Sequence, residues 1–398
     1  MLDNPQRIIG LLEGDCAGPT VVFFGGIHGN ETAGVKALEH VFKTLKTLKT
    51  ANINGTFYGI TGNLNALKTN QRYIDEDLNR LWTKAQIAQL EQKTILNSEE
   101  KEQLELFSLL NQILNTNNKP FYFVDLHTTS SKTHPFITIN DALINRKFSN
   151  LFPVPTVLGI EEYLNGPLLS YINQLGYVSL GFESGQHTDP KAVTNSIAFI
   201  YLTLVYAQVL PSDKLSAYYY NHLKTEGDSL AGFFEVVYLY KINSLETFVM
   251  QPDFKSFQPI LKNTLLATSN GKQVKAKRTG SLFMPLYQAK GKEGFFIIRT
   301  IPVFFLKLSE LLRQLHFDSL LILLPGISRQ KEQKDVLLVN LKVVRFFAKS
   351  LFHLLGYRNQ HINHTHVTLY SRERVSKKAM YNQQLWYKRS LKGFDVNL

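Results

Sequence analysis

Val21-Val22-Phe23-Phe24-Gly25-Gly26-Ile27-His28-Gly29-Asn30-Glu31 runs from an unbroken apolar segment into a glycine pair, then sets a histidine and a glutamate three residues apart. The apolar run reads as a strand buried on both faces, as in a parallel sheet. The glycines let the backbone turn where a Cβ would clash. His28 and Glu31 then open the next helix. From that spacing an imidazole nitrogen and a carboxylate oxygen can reach one cation at about 2.0–2.2 Å, the usual zinc bond lengths. The same pattern also fits a solvated pair on a helix, so the chemistry depends on what stands at the ends of the other strands.

Working outward, Thr56 to Ile60, Phe121 to Leu126 and Tyr177 to Phe182 are further strand-like apolar runs. Each runs out into polar residues: Thr61 to Asn65, His127-Thr128-Thr129-Ser130, and Glu183-Ser184-Gly185-Gln186-His187. Between them, Glu31 to Leu48, Gln86 to Asn115 and Ala192 to Leu210 carry helical periodicity. Strands alternating with helices, with polar residues just past strand ends, predict an α/β sheet whose site lies along its carboxyl edge. Arg7 to Leu12 reads as a strand beside Thr20 to Phe24. The loop Arg72 to Trp82 gathers Arg, Asp and Asn beside aromatics, and loops on a fixed scaffold are where chemistry is presented.

From about Gly232 the pattern changes to short strand-like runs broken by Gly, Pro, Asn and Ser. The expected division is a catalytic α/β domain over 1–212, a smaller β domain over 213–300 and a basic extension over 301–398. In the extension, Val303 to Leu315 and Val336 to Leu355 have helical periodicity around the short run Leu320 to Leu324. No internal repeat is present.

Composition narrows the function. With 44% hydrophobic residues in 398, the chain is not of disordered type. Cys16 is the single cysteine, which excludes an intrachain disulfide and a cysteine-rich zinc knuckle, so a metal would be held by His, Asp or Glu. The N-terminus lacks signal-peptide features, and Ser319 to Ser328 is about half the length needed to span a bilayer and contains Pro325. A cytoplasmic protein is expected.

The net charge of +12 is concentrated in the tail, where 16 Lys and Arg stand against 6 Asp and Glu from Ile301 onward, leaving 28 against 26 before it. Arg372, Arg374, Lys377 and Lys378, then Lys388, Arg389 and Lys392, interleave with Tyr381, Trp386 and Tyr387. Two readings stand: a solvated face packed on the catalytic part, or weak contact with an anionic surface. Nucleic acid is not an expected partner; a homo-oligomer is possible.

Zinc hydrolysis requires three protein ligands, an open position, a carboxylate to move a proton and a cation for the carbonyl oxygen. His28, Glu31 and His127 supply the ligands, each just after an apolar strand. Glu183, at another strand end, is left as the base. Arg72 and Arg80 are left for the carbonyl and for an anionic substrate group, since a guanidinium grips a carboxylate through two hydrogen bonds. Asp125 is placed to orient His127. The structural alternatives are core histidines, a Glu183 stabilised at a helix N-terminus, and Arg72 and Arg80 paired with Asp75 and Asp77. His134, His187, His361, His364 and His366 read as surface or half-buried.

His28-Gly29-Asn30-Glu31, Asp77-Leu78-Asn79-Arg80, Asp125-Leu126-His127-Thr128-Thr129 and Gly181-Phe182-Glu183 together resemble the succinylglutamate desuccinylase and aspartoacylase family, a branch related to zinc carboxypeptidases. The resemblance covers roughly residues 5 to 300. It implies a three-layer α/β/α domain with one Zn²⁺ held by His28, Glu31 and His127, and Glu183 as the catalytic base. It also implies Asn79 and Arg80 as binders of a substrate carboxylate, Arg72 as the group polarising the scissile carbonyl, and Tyr287 as a substrate-binding tyrosine from the β domain. The implied reaction is hydrolysis of an N-acyl amino acid. One departure stands out. The family's further arginine, about ten residues before the catalytic glutamate, has no counterpart in Leu169 to Leu180, where Asn173 and Gln174 are the nearest candidates. A carboxypeptidase acting on peptide ends and a non-catalytic, surface-attached binding protein remain as alternatives.

Overall fold

The apolar run Val21 to Phe24 is a central strand with parallel partners on both edges, and this accounts for its unbroken hydrophobicity. In the computed structural model, residues 5–47, 53–228, 230–330, 335–340, 342, 349–362 and 365–388 are described. His364, Arg389 and Lys392 lie outside the described residues, as does the side chain of His361. The chain begins with β1 (Ile8–Glu13), β2 (Cys16–Gly25), α1 (Ala33–Thr47), β3 (Asn54–Thr61), α2 (Leu64–Thr69), α3 (Lys84–Leu90) and α4 (Ser98–Thr116). It continues through β4 (Phe121–Thr129), β5 (Phe136–Ile139), α5 (Leu143–Ser149), β6 (Thr156–Leu158), α6 (Leu168–Gln174), β7 (Val178–Gln186), α7 (Lys191–Tyr206) and α8 (Lys214–Glu226). Next come β8 (Phe233–Lys241), β9 (Phe248–Met250), β10 (Pro259–Ile260), β11 (Leu265–Ser269), β12 (Lys272–Lys275), β13 (Gly280–Phe283) and β14 (Glu293–Thr300).

An 11-stranded sheet has the order β1-β3-β2-β4-β7-β5-β6-β8-β14-β13-β10, and β12-β11-β9 form a small second sheet. Alternate residues of the central strands serve two cores. Val21, Phe23, Val124, Leu126, Leu180 and Phe182 pack with α1, α5 and α7. Val22, Phe24, Phe121 and Phe123 pack with α3, α4 and α6 on the opposite face. These are the three layers expected. β1 pairs antiparallel with β3, not with β2 as its sequence position suggested. Both edges of β2 are taken by β3 and β4, so β1 covers the remaining free edge of β3.

The extension contains α9 (Val303–Gln314), β15 (Ile327–Arg329), β16 (Val336–Asn340), α10 (Lys349–Leu354), β17 (Tyr357–Ile362), β18 (His366–Ser371) and α11 (Arg372–Val375), with a sheet ordered β15-β16-β18-β17. Residues 336–340, expected within a helix, form a strand instead, because pairing with β15 and β18 on its two edges decides between helix and strand for a short apolar run. The run Leu320 to Leu324 largely falls in a 3₁₀ segment, Phe317–Leu323. Among the described residues, no helix is long and apolar enough to cross a membrane.

Much of the tail's basic and aromatic character is spent on docking. The Tyr381 hydroxyl donates to the Phe121 carbonyl at 2.6 Å and accepts from the Val178 amide at 2.9 Å. Trp386 Nε1 donates to the Tyr122 hydroxyl at 3.1 Å. Asp141, fully buried after β5, receives Arg146 Nε at 2.6 Å from α5, and Arg313 at 3.0 Å and Arg358 at 2.8 Å from the residues after 300. Burial alone would raise its carboxyl; the three guanidinium groups hold it well below the usual carboxylate range. Removing one member of such a cluster strands uncompensated charge. Asp141→Ala is therefore expected to lower stability by about 3–5 kcal/mol, read from denaturant unfolding. Unchanged stability would show that water reaches these arginines.

Candidate metal centre and cleft

The residues singled out by their position after strands come together because the strands lie side by side. His127 on β4 and Glu183 on β7 are neighbours in register on adjacent parallel strands, and Gly25, closing β2, is level with Leu126. Beyond β2 the chain turns at Gly26, whose φ of +71° is left-handed. A Cβ on Gly29 would lie 2.1 Å from the Ala66 carbonyl carbon, so only glycine lets this turn rest on α2. The Gly29 amide donates to the Arg72 carbonyl at 3.1 Å, tying the His28 turn to the Arg72 loop.

Glu31 lies between the two imidazoles. Its carboxylate is 2.9 Å from His28 Nδ1 through one oxygen and 2.9 Å from His127 Nδ1 through the other, and it accepts the Thr128 amide at 3.0 Å. The far nitrogens are held as well: His28 Nε2 is 3.0 Å from Asp77, and His127 Nε2 is 2.7 Å from Asp125. Burial opposes ionisation of Glu31, but the two histidines hold its carboxyl well below the usual range. His127 is likewise raised well above an ordinary imidazole, since Asp125 and Glu31 outweigh the effect of its burial. Glu183, 8% exposed, has one buried carboxylate oxygen with no hydrogen-bond partner. Burial pushes its carboxyl up to about 8, against the pull of His127 and with Glu31 and Asp125 adding to the rise.

These groups open on a cavity of about 130 Å³ that Arg72, Asn79, Arg80 and His187 also line. Arg72 donates to Asp77 through two nitrogens at 3.0 and 3.2 Å, and a third stands 3.6 Å from Glu31. Asp77 and Glu31 more than offset the burial that would otherwise lower its pKa. Arg80 pairs with Glu293 on β14 at 3.1 Å, not with Asp75 or Asp77. Asn79 accepts the Leu168 amide at 2.9 Å, which leaves its amide nitrogen for the cleft. Tyr287 is not brought to the cavity. Its neighbours Leu286 and Gln288 line it, while the Tyr287 hydroxyl donates to the Gln251 carbonyl at 2.7 Å and accepts the Phe254 amide at 3.0 Å. Asn173 and Gln174 do not line it either. His187 does: it bonds Thr128 Oγ1 at 2.6 Å and Gln288 at 3.2 Å, half-buried as expected but inside the site. His134 is outside it, on the Glu226 carbonyl at 3.1 Å.

Residues 17–192 match the family model described as Succinylglutamate desuccinylase/Aspartoacylase catalytic domain. Those residues, somewhat under half of the chain, are similar to that catalytic domain. A probable aspartoacylase from Acaryochloris marina is 35% identical over 126 residues, and a succinylglutamate desuccinylase from Photorhabdus laumondii is 29% identical over 135 residues. These matches cover 31% and 32% of this chain and 40% and 39% of the relatives, so the chain spans about two fifths of their length. The crystal structure of a succinylglutamate desuccinylase/aspartoacylase from Rhodobacter sphaeroides agrees in fold, with a TM-score of 0.56 at 16% identity, over 73% of this chain and 88% of that one.

Within this segment, the donor set fits a metal ion. The ligand atoms of His28, Glu31 and His127 lie within 4.8 Å of one another, all three residues are buried, and each imidazole is fixed from behind by a carboxylate. Asp125 behaves as its spacing suggested. Asp77 was read only as a partner for arginine, yet it holds His28, Arg72 and the Asn79 amide together. Glu99 was missed. Fully buried at the start of α4, it accepts the backbone amides of Ile74, Asp75 and Glu76 at 2.7, 2.9 and 3.3 Å and so fixes the loop carrying Arg72. In sequence it looks like any acid in a first helical turn. Asp77→Asn is expected to weaken Zn²⁺ binding by about 10–100-fold in competition with a chromophoric chelator. Unchanged affinity would mean that His28 is oriented without Asp77.

Proposed function

We propose that this protein is a zinc-dependent hydrolase that cleaves the amide bond of a small N-acyl amino acid, with Glu183 as general base. The observation that carries the reading is the unpartnered carboxylate oxygen of Glu183, buried beside the His28, Glu31 and His127 donor set at the cleft. A cavity of about 130 Å³ favours a small substrate over a peptide end, since a cavity near 150 Å³ holds a molecule the size of benzene.

His28, Glu31 and His127 would hold Zn²⁺, which supplies Lewis acidity and lowers the pKa of water in the cleft. Arg72, fixed by Asp77, offers its remaining N–H groups to the carbonyl oxygen as negative charge develops there. Asn79 and Arg80 grip the substrate carboxylate. Glu183 accepts a proton as a water oxygen bonds to the carbonyl carbon, then passes that proton to the departing nitrogen as the C–N bond breaks. Glu183 must be ionised for this, and positive charge entering the cleft lowers its pKa towards that state. The segment over 213–300 completes the pocket through Met284, Leu286, Gln288 and Glu293, and the division of the chain near 212 and 300 belongs to the same proposal. A single cysteine suits a reducing, cytoplasmic setting.

Glu183→Gln is expected to retain stoichiometric zinc and to lose about 10²–10⁴-fold in amine release from N-acyl amino acids. Retained turnover would remove Glu183 from the base role. A second readout uses stability. Because the folded-state value, about 8, lies above the ordinary 4.5, unfolding releases a proton, so this group's contribution to stability falls as pH rises between those values. The metal-free Glu183→Gln protein should therefore gain melting temperature relative to wild type between pH 5 and pH 8. A constant difference would show that the carboxyl titrates normally.

A further inference from the structure

The cleft carries too little positive charge for a substrate with two carboxylates. Resting on the deacylase reading above, we propose that it takes N-acyl amino acids bearing a single carboxylate, and rejects those with a second one on the side chain or the acyl group.

Among the described residues, the guanidinium groups lining the cleft are Arg72 and Arg80, and no lysine lines it. Arg72 is committed to Asp77 through two nitrogens, with Glu31 facing its third. Arg80 alone is left for a substrate carboxylate, and even there Glu293 stands 3.1 Å away. On the other side, Glu161, Glu183 and Glu293 line the same space, in addition to Glu31. With the metal ion bound, the lining is close to neutral before a substrate enters.

One part of the lining carries no charge of its own. It is built from Thr138 on β5 and Asn140 just after it, Leu169 and Ser170 on α6, and Ser179 on β7. Asn140 Nδ2 donates to Ser170 Oγ at 3.1 Å, and Ser179 Oγ donates to the Leu169 carbonyl at 3.4 Å, so these groups are engaged yet keep capacity for one more neutral partner. On α6, where the family's further arginine is absent, Asn173 is 1% exposed and outside the lining. Arg358 and Arg372, both buried, do not line the cleft. Arg358 is bonded to Asp141 and Glu162 and stands 4.0 Å from Glu161, and Glu161 is the acid that acts most strongly on Arg372. A second carboxylate placed here would lose its hydration without gaining a cation. An amide, hydroxyl or apolar group would not.

The test pairs substrates of similar shape. Zinc-loaded protein is titrated by calorimetry with N-acetylglutamine against N-acetylglutamate, and with N-succinamylmethionine against N-succinylmethionine, while amine release is followed in parallel. The neutral member of each pair is expected to bind and turn over at least ~100-fold better. Equal or tighter binding of the dicarboxylates overturns the proposal, whether or not amine is released. A neutral preference in binding without amine release supports the proposal and overturns the deacylase reading. Binding of none of the four overturns both. Leu169→Arg, which places a cation on the wall, should narrow the glutamine-to-glutamate ratio at least tenfold, a ratio independent of the folded fraction. An unchanged ratio overturns the assignment of this wall as the discriminating surface.

Discussion

The contact on which the site depends is the buried carboxylate of Glu31 between two imidazoles, each backed by a further carboxylate. Five ionisable groups from three segments are held in one dry space, and each is tolerable there only because its neighbour carries the complementary charge. Asp77 belongs to the loop that bears Arg72, Asn79 and Arg80, so the same contact that orients His28 also fixes the residues proposed to hold substrate. Asp125 sits two residues before His127 on β4, where the pleat turns both side chains to one face. Moving any of these strands by one residue would place an acid or a histidine on the wrong face of the sheet.

A second buried charge cluster, around Asp141, joins the extension to the rest of the molecule. It lies one residue beyond Asn140, which lines the cleft, and so ties the extension to the wall of the site. The tail's basic residues therefore divide. Arg313, Arg358 and Arg372 are buried, while Lys307 and Lys377 remain in solvent. Net charge counted along the sequence overstates what such a tail can present to a partner, because buried arginines neutralised by acids add nothing to the outer field.

The parts of the fold legible in the sequence were those fixed by local pattern. The doubly apolar strands β2, β4 and β7, the helices between them and the polar residues after each strand follow from hydrophobic period and glycine position. The place of β1 beside β3 was not legible, since nothing local distinguishes one free strand edge from another. Nor was the strand Val336–Asn340, whose few apolar residues fit a helix equally well until β15 and β18 supply partners. Glu99 was invisible for a related reason. Its role lies in three backbone amides more than twenty residues away in sequence.

By itself the sequence determined the chemistry within reach: a histidine and glutamate after one strand, a histidine after a second, a glutamate after a third, and two arginines on one loop. Parallel strands must bring such ends to one edge, so residue type and position after a strand suffice to gather them. Only the tertiary structure decided how they pair. His28 meets Asp77, Arg80 meets Glu293, and the Tyr287 hydroxyl is bonded to the Gln251–Phe254 segment while its two neighbours line the cleft. The charge of the cleft was decided there too. A cation missing from α6 could have been replaced from anywhere in the chain, and only packing shows that Arg358 is taken up by Asp141 and Glu162 and that neither it nor Arg372 lines the cleft.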